Sequence, residues 1–183
     1  MQTLFRQYRP FLLFLLKFLG VYIVLTLLYQ LFLGSYDERI HEIDAMTRLV
    51  SEQVVGVLQL SGYDASMLPH ESEASYRVLV GGKTVVRVIE GCNAISLMIL
   101  FTAFIVAFGS TFKKTGLFIL GGLVLIHLLN VARIALLTIG IRTYPESQAL
   151  MHDILFPLVI YGTIFLLWVL WIRKFSPHAR KKA

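Results

Sequence analysis

Four long apolar segments constrain the fold of this chain more than any other feature of its sequence. They cover about residues 11–33, 94–110, 116–141 and 154–172. A helix needs about 20 apolar residues to cross the hydrocarbon core of a bilayer, so the segments predict four transmembrane helices. The chain is 57% hydrophobic, whereas a soluble domain is roughly 45–50% apolar. We therefore expect one all-α, multi-pass membrane domain over residues 1–183.

The charged residues predict how this domain is oriented. All 11 Asp and Glu lie within residues 34–93 and 142–153. Residues 1–10, 111–115 and 173–183 carry only positive charge. Because basic loops stay in the cytoplasm, we expect both termini and the 111–115 loop to be cytoplasmic, with 34–93 and 142–153 extracytoplasmic. The net charge of +6 then follows from topology, so membrane lipids rather than nucleic acid are the expected surroundings.

The first half of the segment 34–93 has the pattern of an amphipathic helix. Ser35 with Glu38 three residues later has the form of a capping box. Apolar residues then recur at helical spacing, namely Ile40, Ile43, Met46, Leu49 and Val50. We expect this helix to lie on the membrane or on the other helices.

The second half of this segment has the pattern of a loop followed by a hairpin. Residues 61–75 contain Gly, Asp, Ser and Pro and predict a loop. Residues 76–80 and 83–89 are rich in β-branched side chains, and Gly81-Gly82 between them is a hairpin signal. The expected insertion is thus a helix plus a two-stranded ribbon that leads to the next apolar segment.

Cys92, the single cysteine, lies where this ribbon meets the second apolar segment. One cysteine excludes an intrachain disulfide and a cysteine-rich zinc or iron–sulfur site, but not a reactive thiol. A metal site would need Cys92, His127 and His152 at one depth, and the predicted topology places His127 too deep. We expect no metal and no cofactor.

Two further polar residues are expected at the outer side of the bilayer. Arg133 lies about 12 Å before the predicted outer end of its helix at 1.5 Å per residue, and His152 begins the last helix. A charge inside a bilayer costs about 2.5 kcal/mol or more, and such residues face a bundle interior or cavity. Asn130 lies close to the same helical face as Arg133. For the deeper His127 we expect a buried hydrogen bond between helices.

Each of these residues has a structural and a chemical interpretation. A cysteine near a helix end commonly packs as a small apolar residue, and Arg133 can simply pair with Asn130 or Glu90. Together, however, Cys92, Arg133 and His152 supply the three groups that acyl transfer needs. Cys92 would be the nucleophile that forms a thioester. His152 would be the general acid and base, and Arg133 would stabilise the oxyanion or the thiolate.

Three sequence features in order resemble one family: Glu90-Gly91-Cys92-Asn93-Ala94 opening a helix, Asn130-Val131-Ala132-Arg133 within the next helix, and His152 opening the last. Over about residues 78–162 the chain is similar to the exosortase/archaeosortase family. Many members carry a Cys-Ser-Gly or Cys-Ala-Gly run and have more membrane spans. The compact form and the Cys-Asn-Ala run look most like the exosortase F branch of Bacteroidota.

This resemblance implies a membrane-embedded cysteine transpeptidase in a bacterial inner membrane, with its active site facing the periplasm. It implies catalytic roles for Cys92, Arg133 and His152; the supporting residues we expect are Asn130, Asn93 and Glu90. The implied substrates are exported proteins with a C-terminal signal made of a short motif, a transmembrane helix and a basic cluster. The acceptor would be an amine or an envelope polymer.

Two alternatives stay open at this stage. Water can replace the amine, which would make the protein a simple cysteine endopeptidase. Alternatively the protein is a non-enzymatic membrane scaffold or assembly factor, in which Arg133 and His152 hold helices together. A transporter is disfavoured because the sequence shows no internal repeat and no paired broken helices.

Overall fold

The computed structural model of this chain describes residues 2–174, which are mostly helical. The elements in chain order are α1 (Gln2–Leu33), α2 (Ala45–Leu60), β1 (Ala65–Pro69), β2 (Ser75–Val80), β3 (Lys83–Ile89), α3 (Ile95–Phe108), α4 (Phe112–Thr143) and α5 (Phe156–Lys174). Short 3₁₀ turns cover Glu38–Ile40, Glu90–Cys92 and Pro145–Ser147, and a π-helical segment, Leu150–Leu155, runs directly into α5. The basic tail predicted as cytoplasmic lies beyond residue 174 for most of its length, outside the described residues.

Within the described residues, three helices are long and apolar enough to cross a membrane. They are Tyr8–Leu33, Phe112–Thr143 and Leu150–Lys174. α3 is apolar but has only 14 residues, about 21 Å at 1.5 Å per residue. It is short because Asn93 and Ala94 precede its first turn and Gly109, at φ 59°, ends it. The chain is thus a multi-pass membrane protein with three full-length candidate spans and one short apolar helix.

α2 begins later than the predicted capping box, which makes that prediction wrong. Its cap is Asp44, whose carboxylate accepts hydrogen bonds from the backbone N–H groups of Met46 (3.0 Å) and Thr47 (2.9 Å). The Ser35 hydroxyl instead donates to the carbonyl of Phe32 at 2.6 Å. His41, at φ 53°, has a left-handed backbone conformation and lies between the two candidate caps, Ser35 and Asp44. A single helix therefore cannot run on from Ser35 into α2.

The predicted two-stranded ribbon is in fact a three-stranded antiparallel sheet in the order β1-β2-β3. The prediction of a loop over 61–75 was wrong for β1, which pairs with β2 from Ala65↔Val80 to Pro69↔Tyr76. A lone hairpin is only marginally stable in water. The third strand and α2 give this sheet an apolar face to pack on, a tertiary effect that local sequence signals do not show.

Two apolar clusters hold the molecule together, and α4 contributes to both. The outer cluster joins α2 and the sheet to α4 through Val50, Val54, Leu58, Val78, Val88, Val131, Ile134 and Ala135. The membrane cluster joins α3, α4 and α5 through Phe101, Ile105, Ile126, Ile160, Ile164 and Trp171. At Gly122 of α4 a Cβ atom would collide with the ring of Phe101. This glycine therefore allows α3 and α4 to approach closely.

Candidate active site

Cys92 occupies the 3₁₀ turn that carries the chain from β3 into α3. Its thiol is free and half-buried, and the residue packs against the outer apolar cluster. The carbonyl oxygen of Cys92 accepts a hydrogen bond of 2.6 Å from the side-chain amide of Asn130 on α4. Asn130 is completely buried. α4 therefore fixes the backbone of the cysteine at this point.

The two residues beside this turn are held by a tyrosine that the sequence analysis did not single out. The hydroxyl of Tyr29, on α1, donates to Glu90 Oε1 at 2.6 Å and accepts from Asn93 Nδ2 at 2.8 Å. The Asn93 Oδ1 atom in turn accepts from the backbone N–H of Ile95 at 3.0 Å. No sequence signal pointed to Tyr29, because an aromatic residue inside a membrane helix looks like any other apolar residue.

Ala94, which follows this network, has φ 63° and ψ 9°. This left-handed conformation favours glycine, since a Cβ atom there approaches the following carbonyl oxygen. Non-glycine residues of this kind persist only where the surrounding structure holds them, and they cluster at functional sites. The segment around Cys92 is thus held in one conformation by contacts from both α1 and α4.

A cavity of about 270 Å³ lies next to the cysteine turn. Its lining includes Gly91, Asn130, Arg133, Pro157 and Tyr161. Arg133 lies about 29 Å along α4 from Lys114, at 1.5 Å per residue. The cavity and the basic start of α4 are therefore far apart along this helix.

Two buried polar atoms at this cavity make no hydrogen bond within the described part of the chain. They are Arg133 Nε, a donor, and Asn130 Oδ1, an acceptor. Leaving such a group unsatisfied costs about 1–3 kcal/mol, so their presence at one cavity suits a ligand with the complementary pair of groups. A peptide unit, with one carbonyl and one N–H, has that pair.

His152 lies in the π-helical segment before α5 and does not line the Arg133 cavity. Its Nδ1 atom is 2.7 Å from Asp153 Oδ1, and about half of its side chain is exposed (53%). An ionised carboxylate at this position accepts a hydrogen bond from Nδ1–H and leaves Nε2 as the basic nitrogen. Both side chains line a separate hollow of about 330 Å³. Asp153 was also missed by the sequence analysis, although it directly follows His152.

The preceding residue, Met151, anchors this segment to α4. A Cβ atom on Gly140 of α4 would collide with the Met151 side chain, so the two helices lie in close contact there. π-helical turns are rare and are frequent at functional sites. The segment that carries His152 therefore packs directly on the helix that carries Arg133.

His127 makes a hydrogen bond between helices, as expected, but a partly exposed one. Its Nε2 atom is 2.6 Å from Oε1 of Gln53 on α2. The contact joins α2 to α4 about one helical turn before Asn130 in the sequence of α4. It is separate from the Arg133 cavity. Among the described residues, no group of three or more His, Cys, Asp and Glu is arranged to hold a metal ion.

A family model described as a transmembrane exosortase matches residues 4–172. A search of curated proteins and a search of solved structures gave no match. The matched region covers all the candidate site residues described above.

Proposed function

The chain belongs to the transmembrane exosortase family, and from this premise we propose that it is a membrane-embedded cysteine transpeptidase. It would cleave the C-terminal sorting signal of exported proteins and transfer the new end to an acceptor. The observation that carries this proposal is that Gly91 and Ala94, on either side of Cys92 in sequence, line one cavity with Arg133, and that buried Asn130 is bonded to the Cys92 carbonyl. Cys92 and His152 themselves do not line this cavity. The family match supports the reaction class, and the cavity supports the choice of Arg133.

The proposed reaction proceeds through a thioester. The Cys92 thiolate attacks the carbonyl carbon of the scissile peptide bond, and the developing oxyanion is stabilised by the Arg133 guanidinium. Collapse of this intermediate breaks the C–N bond, and His152 donates a proton to the departing amine. An acceptor amine then attacks the thioester carbonyl, loses its proton to His152 and releases the Cys92 thiolate.

Asn130 would bind the substrate as well as the cysteine turn. Its Nδ2 atom already donates to the Cys92 carbonyl. Its unpaired Oδ1 atom can accept the N–H of a substrate peptide unit whose carbonyl binds Arg133. This arrangement would place a substrate carbonyl carbon next to the cysteine turn, where the proposed reaction requires it.

His152 would reach the reacting amine across the outer end of α5. It precedes Pro157, which lines the Arg133 cavity, by about 7.5 Å along a helix axis. An extended peptide advances about 3.3 Å per residue, so a substrate that crosses this end of the helix can contact both regions. The Asp153 carboxylate would keep Nε2 of His152 free for proton transfer.

The proposed orientation places this site on the periplasmic side of a bacterial inner membrane, with the basic segments in the cytoplasm. The distribution of the 11 acidic residues supports it. Because Cys92 is the single cysteine, a membrane-impermeant thiol reagent added to spheroplasts tests it directly. Labelling only after permeabilisation would show the opposite orientation.

The proposed function is tested by replacing the nucleophile. Cys92→Ala is expected to leave a candidate partner with its C-terminal helix uncleaved, because no thioester can form. Intact-mass analysis of that partner in membranes measures this. Ser61→Ala, an exposed small-residue change at the end of α2, serves as the control and should process normally.

A scaffold function is the second candidate, and one observation favours it. Cys92 packs against the outer apolar cluster, as a structural cysteine does. In that case Cys92→Ala would be silent, whereas Arg133→Ala would lower the amount of protein in the membrane. The mass of the new partner terminus also separates transfer from hydrolysis, because transfer adds the acceptor and hydrolysis adds only water.

A further inference from the structure

The strand β3 forms one edge of the outer sheet and leads directly to the cysteine turn. Within the described residues it pairs with β2 alone, in the sheet order β1-β2-β3. Ile89 keeps an extended backbone, and the 3₁₀ turn that contains Cys92 begins at the next residue. Three residues span at most about 11 Å, so the end of this edge lies within that distance of the cysteine.

The outer edge of β3 presents backbone groups that a second extended chain can use. In a strand that pairs on one side, alternate residues direct their N–H and C=O groups away from the partner strand. Such an edge is a template for pairing with another extended chain. Thr84, Arg87 and Ile89 are all exposed on this strand. The edge is therefore open to a peptide in the described structure.

The opposite edge of the sheet, β1, is protected in a way that β3 is not. β1 has 5 residues and ends at Pro69, which has no N–H to donate to a neighbouring strand. β3 has 7 residues and no proline. Its register with β2 shifts between Thr84 and Val86, at the end of the strand that is far from Cys92. Residues 86–89, nearest to the cysteine turn, therefore form the regular part of this edge.

α4 lies beside β3 and runs in the opposite direction. At one end the guanidinium group of Arg142 lies against Gly81 in the hairpin turn. At the other end the side-chain amide of Asn130 bonds the carbonyl of Cys92. A chain that follows the β3 edge toward the cysteine turn therefore arrives at the part of α4 that lines the Arg133 cavity.

We propose that the extended segment of an exported protein that precedes its transmembrane helix pairs with β3 as a fourth strand of this sheet. The inference rests on the proposed function, which brings that segment to Cys92. In the proposed orientation the partner chain runs from the periplasm into the bilayer, as β3 runs from the hairpin turn toward α3. The added strand is therefore parallel to β3. Main-chain hydrogen bonds supply the affinity in this mode of recognition.

The test maps disulfide cross-links in membranes under mild oxidation. Cys92→Ala leaves the full-length chain without cysteine and the partner uncleaved, so Arg87→Cys or Ile89→Cys is added to it. The probe is a candidate exported protein that wild-type membranes process, carrying a single cysteine at successive positions before its transmembrane helix. The partner position that cross-links best to Ile89→Cys should lie two residues later than the best position for Arg87→Cys. Both changes are at exposed positions, so folding should survive.

The matched control is Ser66→Cys, at an exposed position on β1, which should cross-link to none of these partner positions. Equal best positions for the two β3 cysteines, or a shift in the opposite direction, would overturn the parallel pairing. Cross-linking of Arg87→Cys chains to one another in place of the partner would assign the edge to a second copy and would also overturn it. A wild type that processes no candidate would contradict the proposed function, whereas processing without this register would contradict the strand pairing alone.

Discussion

Among the candidate site residues, Arg133 is the one whose environment most clearly indicates a ligand. Its Nε atom is buried and unpaired in the described structure, in the cavity that Gly91 of the cysteine turn also lines. In the proposed reaction this positive charge would stabilise the Cys92 thiolate and the oxyanion, because charges interact more strongly in a partly buried site than in bulk water.

Arg133→Ala is expected to slow the reaction of Cys92 with a thiol-reactive probe by roughly tenfold, equivalent to about 1.4 kcal/mol of lost charge stabilisation. Labelling rates on membranes, normalised to the amount of protein, measure the effect. Arg87→Ala removes an exposed arginine from β3 and should react like the wild type. Equal labelling rates in Arg133→Ala and the wild type would show that Arg133 does not activate the Cys92 thiol.

Ala94, two residues after Cys92, takes the left-handed backbone conformation, with φ 63°. Glycine adopts this conformation without the steric cost that alanine carries. The contacts around Ala94 thus hold this chain in a backbone conformation that glycine would adopt more easily.

Ala94→Gly is accordingly expected to raise the free energy of unfolding by up to about 1 kcal/mol. Thermal unfolding in detergent measures it. The control, Ala103→Gly in the middle of α3, makes the same chemical change and should destabilise by about 1 kcal/mol. Destabilisation of similar size in both variants would mean that Ala94 is not strained.

At this scale the sequence pointed to the candidate reacting residues and to three of their neighbours, Asn130, Asn93 and Glu90, but not to Tyr29, which bonds two of those neighbours. Cys92, Arg133 and His152 stood out because each is chemically unusual in its segment. Tyr29 did not, since its role depends on a contact between residues 61 positions apart. Contacts of that kind arise from tertiary packing and leave no local pattern.

Among the elements, α1 is connected to the candidate site through the hydroxyl of Tyr29. Elsewhere α1 packs on α3 through rings such as Phe14 against Phe104 and Phe108. Near its outer end the Tyr29 hydroxyl bonds both Glu90 and Asn93, on either side of Cys92. The first helix therefore acts as a positioning element for the cysteine turn.

Tyr29→Phe removes the hydroxyl that bonds Glu90 and Asn93, so both side chains lose a hydrogen-bond partner. We expect a loss of about 1–3 kcal/mol in unfolding free energy, together with a changed labelling rate at Cys92. Tyr22→Phe, on the same helix, is the matched control and should change neither quantity. A Tyr29→Phe variant indistinguishable from Tyr22→Phe in both measurements would show that the contact does not position the turn.

Local sequence patterns failed for two elements, β1 and the start of α2. The β1 strand was predicted as loop because Pro69 and nearby polar residues are poor strand formers, yet pairing with β2 and packing on α2 override that preference. The start of α2 was misplaced because two acceptable caps lie close together, and only the turn at His41 decides between them.

For the whole molecule, the apolar segments and the distribution of charge predicted a multi-pass membrane protein with a polar outer part. The length of α4 and the elements that it brings together were harder to predict. α4 extends from Phe112 to Thr143, beyond the apolar segment that was predicted, because its basic and polar ends continue the helix. It thereby joins the membrane cluster to the outer cluster and aligns Asn130 with the cysteine turn.

The central claim is that Cys92 forms a thioester with a substrate. The most direct measurement is the intact mass of the chain in membranes supplied with a candidate exported partner. We predict an added mass on the wild type equal to the acyl portion of the partner, removed by neutral hydroxylamine and absent in Cys92→Ala. Processing of the partner at the wild-type rate in Cys92→Ala membranes, with no such adduct on the wild type, would contradict the account.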